Sequence, residues 1–407
     1  MNLILITTTF PYGTKESFLE SELWYASTYF DKIDIFAIFP ENNIIRQYKA
    51  PPNIHYHQVQ LSKSLKFNAL CAVPFKFFFW KEMEDTQQRK LLNIRSLRHL
   101  IYTTMMSLAI SKNIFHQLRQ KTSKTEKTVI YSYWLSIHAV VACLLKRNLP
   151  HAKTVSRAHG YDLYEYRNDI NYISYRKFLL KQETAVFPIS ANGKKYLAQY
   201  SASCKTEVRR LGTIDYGVTY SYKRDLKTFR IVSCSWCVPV KRIHLIIEAL
   251  SKIRDFRIEW KHFGDGTLLN SLKEKARKEL PDNICWSFVG SVNNSYIYNY
   301  YKFNSIDAFI NVSTSEGIPV SIMEAMSYGI PAIATDVGAT AELVNTNNGI
   351  LLNANFKTME LANALRKLQK MSNEDYLQLR INARVFWKDY YNAEVNYKDF
   401  YKALSQL

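Results

Sequence analysis

The sequence predicts an α/β protein made of two successive doubly wound parallel sheets. Three observations carry that expectation. Short apolar runs alternate with longer amphipathic stretches, and strands joined through helices need right-handed crossovers and parallel pairing. The alternation runs through the first half and restarts near residue 229, giving two units of similar size. The chain has 407 residues, 47% apolar and 22% charged, which suits two domains with sizeable cores and excludes a disordered chain.

In chain order, NLILITTTF (2–10) reads as a buried first strand followed by a turn at Pro11-Tyr12-Gly13. KESFLESELWYASTYF (15–30) reads as a helix, IDIFAIFP (33–40) as a strand ended by proline, KTVIYSYWL (127–135) as a strand and SIHAVVACLLKRN (136–148) as a helix. AKTVSRAHGYD (152–162) and AVFPIS (185–190) read as two more strand-to-loop units. In the second half, FRIVSCSW (229–236) is a strand, and VKRIHLIIEALSKI (240–253) is a helix with apolar residues at 243, 246, 247, 250 and 253. RIEWKHFGDGT (257–267), CWSFVGSV (285–292), DAFINVSTSEG (307–317) and IPAIATDVG (330–338) are strands with loops at their C-terminal ends. The seam falls near 215–228. The domains are read as 1–217 and 218–387, with the aromatic-rich helix 388–407 packing back on the first.

The net charge is +19. Residues 1–220 carry 30 Lys and Arg against 16 Asp and Glu, while residues 221–407 carry 24 against 19, so the excess sits mainly in the first half. That balance suits an anionic partner: a phosphorylated ligand, a membrane surface or nucleic acid. No nucleic-acid-binding motif accompanies it, and nucleic acid is not expected as a partner. Cys71, Cys143, Cys204, Cys234, Cys237 and Cys285 are scattered, which is no disulfide framework and implies a reducing, cytosolic setting. Cys234 and Cys237 form a CxxC without a second pair nearby. The N-terminus lacks the basic region and cleavage site of a secretory signal, and no apolar run reaches 18 residues.

The stretch SEGIPVSIMEAMSYGIP (315–331) places Glu316 and Glu324 eight positions apart at the end of a strand. Ligands of such sheets bind outside the carboxyl ends of the strands. Gly317 allows close approach of backbone to a ligand, Pro319 suits a first helical turn, and Gly329 ends the helix. The opening amides of that helix are suited to phosphate. Eight helical residues span about 12 Å, beyond the roughly 5–9.5 Å of paired glycosidase carboxylates. The spacing fits two hydroxyl-bearing rings joined by a diphosphate, the shape of a nucleotide-sugar. It fits equally a dipole partner, Glu316, followed by a solvated helix residue, Glu324.

This stretch is similar to the Glu-x7-Glu signature of the GT-B retaining glycosyltransferases of family 4. YGIPAIATDVGATAELV, FRIVSCSWCVPVKRIHLIIEAL, WKHFGDGTLLNSLKEKA and WSFVGSV resemble further motifs of that family, in its order, over about 230 to 345. FPYGTKESFLESEL and RAHGYDLYEY match more loosely in the first half. The resemblance implies two Rossmann-like domains facing a central cleft, the first taking the acceptor and the second the nucleotide-sugar.

It further implies roles for single residues. Glu316 would contact hydroxyls of the donor sugar and Glu324 the ribose. Gly317 and Ile318 would offer amides to sugar and phosphate, with Pro319, Val320, Gly264 and Gly290 completing the donor-binding set. Lys241 falls on a diphosphate-binding lysine, where a cation offsets charge on the leaving group and opposes the dipole of the helix that follows. The family's arginine five residues earlier is Trp236 here, and Arg242 would supply the lost charge. His159 matches a histidine that faces the sugar, with Asp162 and Arg157 beside it on the acceptor side. Gly13 would approach the diphosphate or the acceptor. No metal site and no cofactor are expected, since no cluster has metal-ligand spacing and family members generally need none.

Residues 61–81, LSKSLKFNALCAVPFKFFFWK, mix lysines with Phe75, Phe77, Phe78, Phe79 and Trp80. The stretch reads either as a surface meeting an anionic membrane or a lipid-diphosphate-linked acceptor, or as a core helix with exposed lysines. The expected activity is retaining transfer of a sugar to a glycan or lipid-linked acceptor in bacterial surface polysaccharide assembly, on the cytoplasmic face of the membrane. A nucleotide-sugar epimerase, a glycan phosphorylase and a non-catalytic glycan-binding relative share the fold.

Overall fold

The apolar runs become parallel strands in a computed structural model that describes residues 1–13, 15–45, 50–119, 127–201, 205–217, 224–225 and 227–407. Cys204 and residues 218–223 and 226 of the expected seam lie outside the described residues. The chain divides into one unit of Met1–Arg210 with Glu394–Leu407 and a second of Leu211–Ala393.

The first unit holds β1 (Asn2–Thr7), β2 (Lys32–Ala37), β3 (Ile54–Gln58), β4 (Thr128–Ser132), β5 (Lys153–Ala158) and β6 (Ala185–Pro188). They pair in the order β3-β2-β1-β4-β5-β6, all parallel, with Leu3 opposite Ile33 and Val129. Every residue of β1 is buried, which is why it reads as an unbroken apolar run rather than an alternating one. The helices are α1 (Leu19–Ala26), α2 (Lys63–Ala72), α3 (Phe77–Gln88), α4 (Ile94–Arg119), α5 (Ile137–Lys146), α6 (Arg176–Gln182) and α7 (Ala191–Ala198).

The second unit repeats the plan with β7 (Phe229–Cys234), β8 (Ile258–Phe263), β9 (Ile284–Gly290), β10 (Ala308–Asn311), β11 (Ala332–Thr335) and β12 (Gly349–Leu352), ordered β12-β11-β10-β7-β8-β9. Its helices are α8 (Ile243–Leu250), α9 (Leu269–Glu279), α10 (Asn294–Phe303), α11 (Val320–Met326), α12 (Thr358–Lys370) and α13 (Asn373–Tyr390). Ile231, Ile246, Trp260, Ile310, Ile333 and Leu365 meet in its core. In both sheets the strand order reverses once, between β1 and β4 and between β10 and β7. Such switch points open a crevice at the carboxyl ends of the two strands, where ligands of open α/β sheets bind.

Several local expectations are revised. The first helix spans Leu19–Ala26 rather than 15–30, because Glu16 takes a left-handed backbone (φ 56°) and turns its side chain onto the loop after β1. α8 starts at Ile243, after a 3-10 turn at Pro239–Lys241 and a left-handed Arg242, so Lys241 does not stand at the start of a long helix. Phe78 and Phe79 face inward, joining Leu100, Leu135 and Ala139, while Phe75, Phe77 and Trp80 are exposed. The final helix α14 (Ala393–Ser405) covers the first unit: Phe400 lies under the Arg157 guanidinium at 4.2 Å, and the Tyr401 hydroxyl donates to Glu22 at 2.9 Å. Among the described residues no helix is long and apolar enough to cross a membrane.

Candidate active site

In the second unit the loops after β7 and β10 meet at the switch point. Lys241 Nζ donates to Glu316 Oε1 at 2.7 Å, and Asn311 Nδ2 donates to the same oxygen at 3.2 Å. Both members of the ion pair are largely covered, with side chains 22% and 10% exposed. The contact is positioned by Arg242, whose guanidinium donates to the carbonyls of Val312 (2.6 Å), Ser313 (3.1 Å) and Ala354 (2.8 Å) and lies over Phe356. Thr314 N donates to the Val240 carbonyl at 2.8 Å, tying the two loops directly. With three of its five N–H donors on carbonyls, Arg242 braces the two loops from behind. This bracing is a role the sequence did not suggest.

Glu316 is not helical. It lies in the loop before α11, which has only seven residues, so the carboxylates are separated by a turn rather than carried on one helix. Glu324 sits on α11 with its carboxyl accepting from the Tyr298 hydroxyl at 2.8 Å, and the Tyr298 ring lies tilted against Tyr216 with centres 4.7 Å apart. Burial pushes the Glu324 carboxyl up to about 7, with the Tyr298 hydrogen bond opposing. Cys234, at the end of β7, is electrostatically coupled to both Glu324 and Lys241, and burial raises its thiol to about 12.

The remaining donor-set residues frame this centre. The Gly317 carbonyl accepts from Ala339 N at 3.0 Å, Ile318 is buried, Val320 is 38% exposed, and the Pro319 carbonyl accepts from Ile322 N at 3.1 Å. Gly264 N donates to the Gly290 carbonyl at 2.9 Å, and a Cβ on Gly264 would lie 1.9 Å from the Ser235 carbonyl oxygen. Gly264 therefore lets β8 close on the loop that carries Trp236, whose indole is 66% exposed. Cys237 is buried, its sulfur 3.4 Å from His262 Nε2. Among the described residues no group of three or more His, Cys, Asp or Glu is placed to hold a metal ion.

The first unit builds a second constellation at its own switch point. The His159 ring stacks on Tyr133 (4.7 Å) and lies 4.5 Å from Trp134. Asp162 anchors its loop, accepting from the backbone of His159 (2.9 Å), Gly160 (3.1 Å) and Leu135 (2.8 Å). Burial alone would raise the Asp162 carboxyl, but the His159 ring and these amides hold it below the usual range. Gly13, with φ 99°, backs onto the Glu41 side chain, where a Cβ would meet Oε2 at 2.2 Å. Arg157 does not reach an acceptor face. It is fully buried, donates to Glu22 Oε1 at 2.9 Å and packs on Phe400.

Three residues escaped the sequence reading. Glu16 accepts from the backbone of Thr8 (3.1 Å), Thr9 (2.7 Å) and Phe10 (2.9 Å) and from Trp134 Nε1 (2.6 Å), so it joins the β1 loop to the ring that packs on His159. Asn311 orients Glu316. Gly338 has φ 59°, and a Cβ there would lie 1.8 Å from the Glu316 carbonyl oxygen. Gly338 falls within the quoted DVGATAELV motif, which gave the signal without the role.

Residues 221–386 match the model of the family described as glycosyl transferases group 1. The O-antigen biosynthesis glycosyltransferase WbnH of Escherichia coli is 37% identical over 112 residues, covering 28% of this chain and 30% of WbnH. The lipopolysaccharide core biosynthesis mannosyltransferase LpsB of Rhizobium meliloti is 41% identical over 76 residues, 18% of this chain and 20% of LpsB. The aligned segments thus span less than a third of either relative's length. Among solved structures, Anabaena HepE in complex with UDP and glucose has a TM-score of 0.66 at 15% identity over 100% of both chains. The lipopolysaccharide outer core galactosyltransferase WaaB scores 0.68 at 15%, again over 100% of both. Two parallel six-stranded Rossmann-like sheets make the fold GT-B, and the match to the glycosyl transferases group 1 falls on the second unit, which carries Lys241, Glu316 and Glu324.

Proposed function

We propose that the chain is a retaining glycosyltransferase that moves a sugar from a nucleoside-diphosphate sugar to a glycan or lipid-linked acceptor in bacterial surface polysaccharide assembly, working at the cytoplasmic face of the membrane. One observation carries the reading: the largely covered Lys241–Glu316 pair at the β7/β10 switch point, with Glu324 on the next helix. Glu316 takes hydroxyls of the donor sugar, Glu324 the ribose, and the second unit the donor as a whole. A diphosphate arriving beside Lys241 draws its ammonium from Glu316, which frees that carboxylate for the sugar. The same ammonium offsets charge as the leaving group departs, so the reading assigns this task to a side chain rather than to a metal ion. The bond from the anomeric carbon to the diphosphate oxygen breaks while the acceptor oxygen bonds on the same face. The acceptor's proton passes to the leaving diphosphate. The first unit takes the acceptor, with His159 towards the sugar. The relatives named for O-antigen and lipopolysaccharide synthesis, and the UDP and glucose of the HepE complex, support the choice of donor and product class.

Trp236 favours one rival. An exposed indole where the family has an arginine would suit a glycan-binding protein without activity. A thermal-shift panel of UDP-, GDP-, ADP- and dTDP-sugars, followed by transfer assays with the stabilising donor, separates the two. Transfer that disappears in Glu316→Gln, with the donor's anomeric configuration retained in the product by NMR, is the expected result. Donor binding without turnover, or an inverted product, contradicts the proposal.

A further inference from the structure

The turn between α2 and α3 has an outer face that the fold leaves bare. Phe67 is 65% exposed, Leu70 43%, Phe75 85%, Phe77 72% and Trp80 49%. Soluble chains scatter exposed apolar residues singly, and a contiguous set marks an interaction surface. Two contacts shape the turn: Trp80 Nε1 donates to the Pro74 carbonyl at 2.7 Å, folding the indole over it, and Lys81 Nζ lies 4.6 Å from the Phe77 ring centre. The other side of the same segment is ordinary core, with Val73, Phe78 and Phe79 packed against Leu100 and Leu135. The segment is therefore firmly seated, and its aromatic tip is not a frayed end.

From residue 42 to residue 81 every charged side chain is basic, and the exposed acid Glu84 stands a turn further along α3. Lys63, Lys66 and Lys81 are exposed beside the tip, with Lys76 between. Glu82, the first acid after the run, is buried and donates no charge to the surface: burial pushes its carboxyl up to about 7 while Tyr172 holds it. A protruding turn, 85% exposed at Phe75, offers no groove for a peptide or helix. Rings at the tip with ammonium groups around them match an interface whose interior is apolar and whose surface is anionic.

We infer that the α2–α3 turn is a bilayer-docking tip, which inserts Phe67, Leu70, Phe75, Phe77 and Trp80 into an anionic phospholipid leaflet while Lys63, Lys66, Lys76 and Lys81 meet the headgroup phosphates. This rests on the membrane-face part of the proposed function and specifies the surface that performs it. The lysines set the preference for anionic lipid and the rings supply the salt-resistant part of the binding.

The test is flotation of the full chain with vesicles of phosphatidylglycerol and phosphatidylcholine, or of phosphatidylcholine alone. It compares wild type, Phe67→Ala/Phe75→Ala/Phe77→Ala, and Lys63→Gln/Lys66→Gln/Lys81→Gln. All six positions are solvent-facing, and circular dichroism melting checks that each variant folds. Wild type floats with anionic vesicles and not with neutral ones. Each variant loses affinity by about tenfold or more, and the aromatic variant loses most of what survives in high salt. Failure of wild type to float with anionic vesicles, or flotation of the aromatic variant at the wild-type level, overturns the inference. So does wild-type self-association that the aromatic variant abolishes, because the tip would then meet a second copy. Donor binding is measured in parallel by thermal shift. A wild type that does not float while its donor shift is present sinks the docking tip alone, and a wild type that floats without donor binding or transfer sinks the glycosyltransferase reading alone.

Discussion

At the scale of single residues, the site depends on how two carboxylates with one spacing come to differ. Glu316 is paired with a lysine and an amide, while the buried Glu324 accepts from a tyrosine hydroxyl and faces no cation among the hydrogen-bond partners of the described residues. The Glu316→Gln substitution keeps the shape and removes the charge that holds Lys241. Its kcat is expected to fall by about a hundredfold or more, the range for losing one electrostatic contact to the transition state, with the melting temperature little changed. For Glu324 the prediction is a pH dependence. Its carboxyl ordinarily titrates near 4.5 and is raised to about 7 in the fold. Between those values the folded chain holds a proton that the unfolded chain has lost, so this group's stabilisation is complete below 4.5 and fades as pH rises to 7. The difference amounts to about 3 kcal/mol. Urea unfolding of wild type and Glu324→Gln at pH 5 and pH 8 checks this: the variant gains stability relative to wild type on going to pH 8. Ribose hydroxyls donating to the carboxylate favour its ionised form. Donor binding near pH 7 should therefore release a proton, seen as buffer-dependent heat in calorimetry.

At the scale of elements, the strand ends matter more than the helices. Gly338 is required because the turn after β11 presses on the Glu316 carbonyl. Gly338→Ala must open that turn at φ 59° and displace the Glu316 loop. A cost of about 1–3 kcal/mol is expected, with a larger proportional loss of transfer than of stability. The variant is checked by denaturation and initial rates together. Glu16→Gln similarly weakens the knot that holds the β1 loop to Trp134, and lowers turnover without touching the donor's thermal shift. These elements also show what the sequence could and could not disclose. β1, β7 and β10 were readable because strands buried on both faces are continuous apolar runs. α4 was not, because a half-buried helix of 26 residues with polar buried positions such as Ser96, Thr103 and Ser107 blurs its apolar stripe. Glu316 and Glu324 were readable from motif spacing. Glu16, Asn311 and the bracing of Arg242 were not, because their partners lie on loops that only the folded sheet brings together.

At the scale of the whole molecule, the two units repeat one topology and the last helix belongs with the first unit in spite of its place in the chain. α14 covers the buried Arg157–Glu22 pair through Phe400 and Tyr401. Deleting residues 394–407 strips the buried Tyr397, Phe400, Tyr401 and Leu404 from the first unit, each worth about 1.5–3 kcal/mol of apolar burial, and should destabilise that unit by several kcal/mol. The second unit has its own core and should keep its donor-induced shift, so calorimetry of the truncated chain is expected to show one transition lowered and one responsive to donor. The central claim concerns where the donor lies in that second unit. A crystal structure of Glu316→Gln with the stabilising nucleotide-sugar tests it most directly. The account predicts the diphosphate beside Lys241, the ribose within hydrogen-bonding reach of Glu324 and the sugar against residue 316. A nucleotide bound elsewhere, leaving Lys241 and Glu324 without contact to it, would contradict the account.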